Sequence, residues 1–162
     1  MTGSMDVDDD QRDVLFEDNF EIREKDPDGK KFDKVSRFVC ESELYDMKLV
    51  IDINIDIYPL NVGEHFALVL ASSLNLQPKH KLGLGDTQTG TLMDQFEYVM
   101  HGRIFQVEEG AESTKNLEQK LYVSFGGLLL QLAGDPKPLE KCKQDTDVFL
   151  LVRKVVTRDA DI

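Results

Sequence analysis

Residues 30–37 carry the densest group of cationic side chains in the sequence. Four cations stand there against one carboxylate, which gives the segment a net charge of +3. The cations are Lys30, Lys31, Lys34 and Arg37. Phe32 and Phe38 are interleaved with them, and cations beside an aromatic ring on a barrel strand bind single-stranded nucleic acid by phosphate attraction and base stacking. The alternative interpretation is a solvated strand with alternating lysines.

Two carboxylates, Asp52 and Asp56, fall on one face of a predicted strand with Asn54 between them. Paired carboxylates perform acid–base chemistry when the site raises the pKa of one of them. Here they alternate with apolar residues, and nothing in the neighbouring sequence predicts their desolvation. We therefore expect both carboxylates to lie on the solvated exterior of the sheet.

Motifs for catalysis are incomplete or absent. The segment GLGDTQTGT at residues 83–91 is rich in glycine but lacks the GK[ST] ending, so it places no lysine on the β- and γ-phosphates of a nucleotide. The sequence also has no GxSxG nucleophile elbow. We interpret residues 83–91 as a flexible loop and predict that the chain is not an enzyme in its own right.

Histidine and cysteine residues share no spacing typical of a metal site. The three histidines are His65, His80 and His101, and the two cysteines, Cys40 and Cys142, form no CxxC motif. Metal sites need several convergent ligands, which no local segment supplies. We predict no metal, no cofactor and no small-molecule substrate, and we expect the cysteines to be half-buried small apolar residues in a reduced, intracellular protein.

Residues 47–57, MKLVIDINIDI, show the clearest periodicity of the sequence. All odd positions are apolar, and four of the five even positions are polar. The apolar residues are Met47, Leu49, Ile51, Ile53, Ile55 and Ile57. A period of two predicts a strand that turns these side chains toward a core. Tyr58-Pro59 ends the strand, because proline cannot donate a hydrogen bond to a ladder.

Shorter apolar runs separated by turn signals predict further strands. Asp26-Pro27-Asp28-Gly29 is such a turn, and Phe32 to Cys40 is a candidate strand after it. Gly126-Gly127 predicts a two-residue hairpin, because paired glycines supply positive φ angles. Gly102 interrupts an alternating segment, which predicts a bulge or a tight hairpin. Eight or nine short strands without a long helix indicate an all-β barrel or sandwich.

Length and charge indicate one domain with an acidic leader. Residues 1–28 hold 11 acids and 3 bases and so carry most of the net charge of −12 of the 162-residue chain. An acidic chain does not favour a large footprint on duplex DNA. We predict a disordered leader at 1–13, a barrel at 14–154 with a long loop at 72–93, and a tail at 155–162. No apolar stretch reaches the ~20 residues of a membrane span, and no secretory signal is recognisable.

Several segments also match a known family in order and spacing. They are Leu15-Phe16-Glu17-Asp18, Asp26 to Arg37, Leu49 to Pro59 (LVIDINIDIYP), Ala71 to Leu76, Asp94 to Gly102 (DQFEYVMHG), Tyr122 to Leu129 (YVSFGGLL) and Phe149 to Lys154 (FLLVRK). Together they resemble the eighth common subunit of the eukaryotic nuclear RNA polymerases, over nearly everything from Val14 to Lys154. The sequence departs from that family mainly in the leader, the tail and the loop at 72–93.

This resemblance implies a fold and a function. The fold is an antiparallel Greek-key barrel related to the oligonucleotide-binding fold. The function is that of a non-catalytic structural subunit common to DNA-directed RNA polymerases I, II and III, docked on the largest subunit, within the nucleus and nucleolus. The alternative that the residues leave open is a free-standing barrel that binds single-stranded DNA or RNA.

The resemblance further implies weak, non-specific binding of single-stranded DNA by the segment at about residues 26–50. In this sequence the residues concerned are Lys30, Lys31, Phe32, Lys34, Arg37 and Lys48. The segment includes the basic residues at 30–37, so the residue types and the resemblance both predict the same candidate site.

Overall fold

Eight strands form in a computed structural model that describes residues 13–74, 92–109 and 118–156. The strands are β1 (Val14–Lys25), β2 (Val35–Ser42), β3 (Lys48–Asn54), β4 (His65–Ala71), β5 (Tyr98–Glu109), β6 (Gln119–Phe125), β7 (Leu128–Gly134) and β8 (Thr146–Val155). Two short 3-10 helices cover Leu92–Gln95 and Lys137–Leu139. In these ranges no helix is long and apolar enough to cross a membrane. The predicted leader except residue 13, and the greater parts of the predicted loop and tail, lie outside the described residues.

The strands close into one antiparallel barrel in the order β1-β2-β3-β7-β6-β5-β8-β4. Within it, β4-β1-β2-β3 and β8-β5-β6-β7 each place a fourth strand beside the first of three consecutive strands, which is the Greek-key arrangement. The first group meets the second at β3–β7 and at β4–β8. The prediction of an all-β antiparallel barrel with eight or nine strands is confirmed.

The alternation along β3 directs the predicted side chains into the barrel. Leu49, Ile51 and Ile53 are almost completely buried, as the sequence pattern predicts. Ile55 is partly buried at the margin of the core, but Ile57 is 67 % exposed, so the prediction is wrong there. The cause is a turn, since the backbone N–H groups of Ile57 and Tyr58 both donate to the carbonyl oxygen of Asn54, at 3.2 and 3.0 Å. The strand therefore ends before the sequence periodicity does.

Glycines shape two places where the chain comes close to itself. Gly126 and Gly127 have φ angles of +66° and +109° and connect β6 to β7, which confirms the predicted two-residue hairpin. Gly102 lies within the continuous strand β5, so the predicted hairpin there is wrong. A side chain at Gly102 would collide with the carbonyl oxygen of Ser124 and the ring of Phe125. The register shift of β5 falls later, between Ile104 and Gln106.

One end of the barrel is tied by the carboxylate of Glu97. Its Oε1 accepts hydrogen bonds from the Tyr58 hydroxyl at 2.5 Å and from the backbone N–H of Lys154 at 3.2 Å. The ring of Tyr58 stacks on that of Tyr98, whose hydroxyl accepts the N–H of Asn54 at 3.1 Å. The hydrogen bond from Tyr58 holds the pKa of Glu97 below its ordinary value. Glu97 thus joins the turn after β3 to strands β5 and β8.

We expect Ile53→Ala to lower the free energy of unfolding by about 2–5 kcal/mol, because it removes buried methyl groups and leaves a cavity in the core. Ile57→Ala is the matched control, since it removes the same atoms from an exposed side chain and should cost less than about 0.5 kcal/mol. Urea denaturation of both variants measures the difference. Similar losses at the two positions would show that the register of β3 is wrong.

The contribution of Glu97 to the stability of the fold should depend on pH. The pKa of Glu97 is lowered in the folded chain, so its stabilising contribution is complete above the ordinary value of 4.5 and is lost as the pH falls through the folded value. Because Glu97 is exposed and its charge is screened by solvent, we expect Glu97→Gln to cost less than about 1 kcal/mol of unfolding free energy at pH 7 and much less near pH 3. Glu17→Gln, on the exposed face of β1, is the control. A Glu97→Gln deficit that does not depend on pH would refute this role of the carboxylate.

Candidate nucleic-acid interface

The predicted basic residues lie mainly in the connection between β1 and β2. Lys30, Lys31 and Lys34 are exposed there, and β2 begins only at Val35. The predicted strand from Phe32 to Cys40 therefore starts too early, and these lysines do not alternate along a strand. Both interpretations of the segment placed them on a strand, and the structure corrects both to a loop.

The base of this loop is fixed by Asp26, which has a φ angle of +49°. Its N–H donates to the carbonyl oxygen of Arg37 at 2.7 Å, and its Oδ1 accepts the N–H of Arg37 at 3.0 Å. Burial acts to raise the pKa of Asp26, but the hydrogen bond from Arg37 and the charge of Lys30 outweigh it, so the pKa is lowered. Gly29 donates its N–H to the carbonyl oxygen of Asp26 at 2.9 Å, which confirms the predicted turn. At the other end, the N–H of Ile55 donates to the carbonyl oxygen of Lys34 at 2.9 Å.

The two phenylalanines of the segment have opposite environments. Phe32 is 67 % exposed in the loop, whereas Phe38 is fully buried in the barrel. Phe32 also borders a small pocket of about 60 Å³ together with Lys31, Arg37 and Asp52. Phe32 is therefore the aromatic ring of this segment that a nucleic-acid base can reach.

Arg37 is held by a buried carboxylate. Its Nε and Nη2 donate to Oδ1 and Oδ2 of Asp52 at 2.7 and 3.0 Å, and this hydrogen-bonded pairing raises the pKa of the guanidinium. Asp52 also accepts the N–H of Leu129 at 2.9 Å. The expectation of a solvated Asp52 is wrong, although Asp56 is exposed. The β3–β7 ladder ends at the pair Ile51 and Leu130, so a side chain is needed beyond it to satisfy Leu129.

The charges of the loop nearly cancel in three dimensions. Its four cations, including Arg37, are accompanied by four carboxylates. These are Asp26, Asp28, Asp33 and Asp52. Asp28 and Asp52 both act electrostatically on Arg37, and Lys30 acts on Asp26. The attraction of this loop for a phosphate chain is therefore short-ranged and depends on the three exposed lysines.

Lys48 does not join the other predicted residues. It is at the start of β3, opposite Glu41, whereas Lys34 contacts the backbone at the far end of the same strand. Six strand residues separate the two ends, a distance of about 20 Å. The structure thus brings together Lys30, Lys31, Phe32 and Lys34, pairs Arg37 with Asp52, and leaves Lys48 apart.

Other side chains that carry chemistry are engaged or buried. His65 contacts Glu43 through Nδ1 at 2.5 Å, and His101 packs against the ring of Phe149, whereas His80 lies outside the described residues. Cys40 and Cys142 are fully rather than half buried, and burial raises the pKa of each thiol to about 12. Within the described ranges no three His, Cys, Asp or Glu side chains are grouped to hold a metal ion.

Comparison with known proteins gives consistent matches along the barrel. The sequence model of the family RNA polymerase Rpb8 matches residues 17–154. A Dictyostelium discoideum protein named DNA-directed RNA polymerases I, II, and III subunit rpabc3 is 50% identical over 142 residues, which cover 87% of this chain and 97% of that protein.

Two further relatives extend the comparison to plants and yeast. The Arabidopsis thaliana protein named DNA-directed RNA polymerases II, IV and V subunit 8B is 42% identical over 88% of this chain and 97% of its own length. The Saccharomyces cerevisiae protein named DNA-directed RNA polymerases I, II, and III subunit RPABC3 is 35% identical over 87% of this chain and 98% of its own length. The family match begins in β1 and ends in β8. This chain therefore belongs to the RNA polymerase Rpb8 family.

Proposed function

We propose that this chain is a structural subunit shared by DNA-directed RNA polymerases and that it takes part in transcription within the nucleus and nucleolus by docking on the largest subunit. The observation that carries the proposal is the extent of the match. The relatives named as polymerase subunits are covered over 97–98% of their own length, and the match includes every strand of the barrel.

The names of the relatives indicate which polymerases would contain this chain. The Dictyostelium and yeast proteins are named for polymerases I, II and III, and the Arabidopsis protein is named for II, IV and V. Polymerase II is common to all three names. We therefore propose polymerase II as a host enzyme, with polymerases I and III as the further hosts.

A non-catalytic role is consistent with the chemistry of the described residues. Metal-dependent nucleotidyl transfer uses carboxylates that converge on divalent metal ions. The buried carboxylate of Asp52 is instead committed to Arg37 and to the backbone of Leu129. The buried thiols have raised pKa values and so carry little thiolate at neutral pH. These features support a subunit that contributes contacts rather than catalytic groups.

We expect the tagged full-length chain, purified from nuclear extract, to recover the largest subunit of a polymerase and its other subunits in constant ratio. Mass spectrometry of the purified material and gel filtration of the untreated extract measure the association. Migration of the native protein near the size of a single chain, without polymerase subunits, would favour the free-standing oligonucleotide-binding barrel instead.

A second candidate function is weak, non-specific binding of single-stranded DNA by the β1–β2 connection. The exposed ammonium groups of Lys30, Lys31 and Lys34 lie beside the exposed ring of Phe32, and this combination suits phosphates and an unstacked base. Arg37 contributes its outward guanidinium edge while it stays paired with Asp52. Lys48 belongs to this site only if the bound DNA strand extends across about 20 Å of the barrel surface.

For this site we expect the triple variant Lys30→Ala, Lys31→Ala and Lys34→Ala to bind a labelled oligothymidylate about tenfold more weakly at low salt. Losing three phosphate contacts should also make the slope of log affinity against log salt shallower by about 2. Phe32→Ala should weaken binding at every salt concentration, since stacking does not depend on counterion release.

The matched control replaces the exposed Lys137, Lys141 and Lys143 with alanine, which removes the same charge from another part of the barrel. Fluorescence anisotropy over a salt series measures all the variants. If the two triple variants bind the oligonucleotide equally well, the β1–β2 connection is not the binding site.

A further inference from the structure

The outer face of the barrel differs sharply from strand to strand. On β1 the outward side chains are charged or polar. They are Glu17, Asn19, Glu21 and Arg23. On β7 the outward positions are Leu129, Gln131 and Ala133, without a charge. An outward strand face in contact with water normally alternates with polar residues, so the surface around β7 is unusual for a solvated face.

The pairing register extends this apolar surface across five strands. Val39 lies opposite Val50, Val50 opposite Gln131, and Gln131 opposite Tyr122. Leu129 and Phe105 flank this row. We call Val39, Val50, Leu129, Tyr122 and Phe105 the outer belt. It runs across β2, β3, β7, β6 and β5, roughly perpendicular to the strands.

A β-bulge lies at Phe105, where β5 borders the outer belt. Ile104 pairs with Val123 and Gln106 pairs with Tyr122, so two residues of β5 oppose one residue of β6. Phe105 is the extra residue, and its side chain points outward beside Tyr122, with ring centroids 6.1 Å apart. Alternation after the buried Ile104 already turns Phe105 outward, and the bulge adds Gln106 as a second exposed residue beside it.

The outer belt contains a concave site for an apolar group. Leu129 and Phe105 are 42 % and 43 % exposed. Together with Val50, Tyr122, Gln131 and Arg37 they border a pocket of about 110 Å³. A pocket of this size accommodates one side chain, and interfaces concentrate their binding energy where an aromatic or aliphatic anchor fills such a pocket.

Two lysines stand beside the outer belt on the adjacent register row. Lys48 and Lys120 lie on either side of Ala133. The neighbouring carboxylates are engaged elsewhere, since Glu41 pairs with Arg23 at 3.3 Å and Glu108 accepts a hydrogen bond from Gln106. Among the described residues neither lysine has an ion-pairing carboxylate. In a chain of net charge −12, these cations favour acidic groups on whatever covers the outer belt.

We propose that the outer belt is a docking surface for another subunit of the polymerase. A segment of that subunit places an apolar side chain between Phe105, Tyr122 and Leu129, and its flanking carboxylates face Lys48 and Lys120. This inference rests on the proposed function of the chain as a polymerase subunit. It assigns to that function a surface that meets the β1–β2 connection at Arg37, which borders the pockets of both.

The composition of the outer belt favours protein over nucleic acid as its occupant. Three of its five residues, Val39, Val50 and Leu129, are aliphatic and offer no flat ring for a base, and its two rings, Phe105 and Tyr122, lie against each other with centroids 6.1 Å apart. Around it Asp52, Glu41 and Glu108 are bound by Arg37, Arg23 and Gln106, so the rim is polar and its unpaired charges in the described ranges are the two lysines. An apolar centre with a mixed polar rim is the usual composition of a protein–protein interface.

The test introduces Phe105→Glu and Leu129→Glu together into the tagged full-length chain and measures the recovery of polymerase subunits from nuclear extract. The matched control is Ile57→Glu with Val62→Glu, which adds two carboxylates at exposed apolar residues of the β3–β4 connection. We expect recovery to fall at least about tenfold for the outer-belt variant, as for the loss of a central anchor, and to stay at the wild-type level for the control. Thermal melting of both purified variants shows whether each is folded.

Each outcome separates this inference from the proposed function. If the wild-type chain recovers no polymerase subunits, the proposed function fails and the outer belt has no partner to explain. If the wild type recovers them and the outer-belt variant does so equally well, the docking surface lies elsewhere. Release of the wild-type chain by nuclease would show that nucleic acid bridges the association, which also overturns the inference.

A photo-crosslinking residue at position 105 of an otherwise wild-type chain keeps the inference testable if the double variant does not fold. The expected product joins position 105 to an apolar segment with acidic flanks in another polymerase subunit. Crosslinks only to nucleic acid, only to a second copy of this chain, or no more frequent than those from position 57 would contradict the proposal.

Discussion

The buried carboxylate of Asp52 joins three strands at the place where the two Greek-key halves of the barrel meet. It binds the guanidinium of Arg37 on β2 and the backbone N–H of Leu129 on β7, while its own residue belongs to β3. The β3–β7 ladder has only four residue pairs, so the carboxylate continues the junction where backbone pairing stops. Removing one partner of such a group leaves buried polar atoms unsatisfied, which costs more than the bond contributes on average. Asp52 thereby also positions two surfaces of the barrel, since Arg37 borders the β1–β2 connection and Leu129 lies in the outer belt.

The alternation of apolar and polar residues predicted correctly those parts of the fold that depend only on which side chains are buried. The inward register of Leu49, Ile51 and Ile53 follows from alternation, because a shift by one residue would expose all three. The glycine hairpin after Phe125 follows from backbone conformation. The error at Ile57 has a local cause, since the carbonyl oxygen of Asn54 starts a turn in which the apolar pattern continues without a strand. Sequence periodicity therefore located the core better than it located the end of the strand.

The candidate site was less predictable because its geometry depends on contacts distant in sequence. The sequence shows the cations near Lys30, but it does not show that Asp52 neutralises Arg37 or that Lys48 lies at the opposite end of a strand. Alternation also predicts a solvated Asp52, whereas in the barrel Arg37 and the N–H of Leu129 bind it at the end of the β3–β7 ladder. The outer belt was missed for a similar reason. Its residues come from five strands, and nothing in the sequence shows that the barrel brings them side by side on one face.

A closed barrel has consequences for how such a chain can be incorporated into a larger machine. In the described part of the chain every strand has a hydrogen-bonded neighbour on both sides, so little of the backbone is left for another chain to extend by adding a strand. A partner must then recognise mainly side chains on the outer surface. These side chains can be substituted one at a time without breaking the hydrogen bonds of the backbone. The same closure protects the newly made chain before it is incorporated, because the backbone groups that template edge-to-edge aggregation are already satisfied. For a component shared by several assemblies, both properties separate the stability of the fold from the choice of partner.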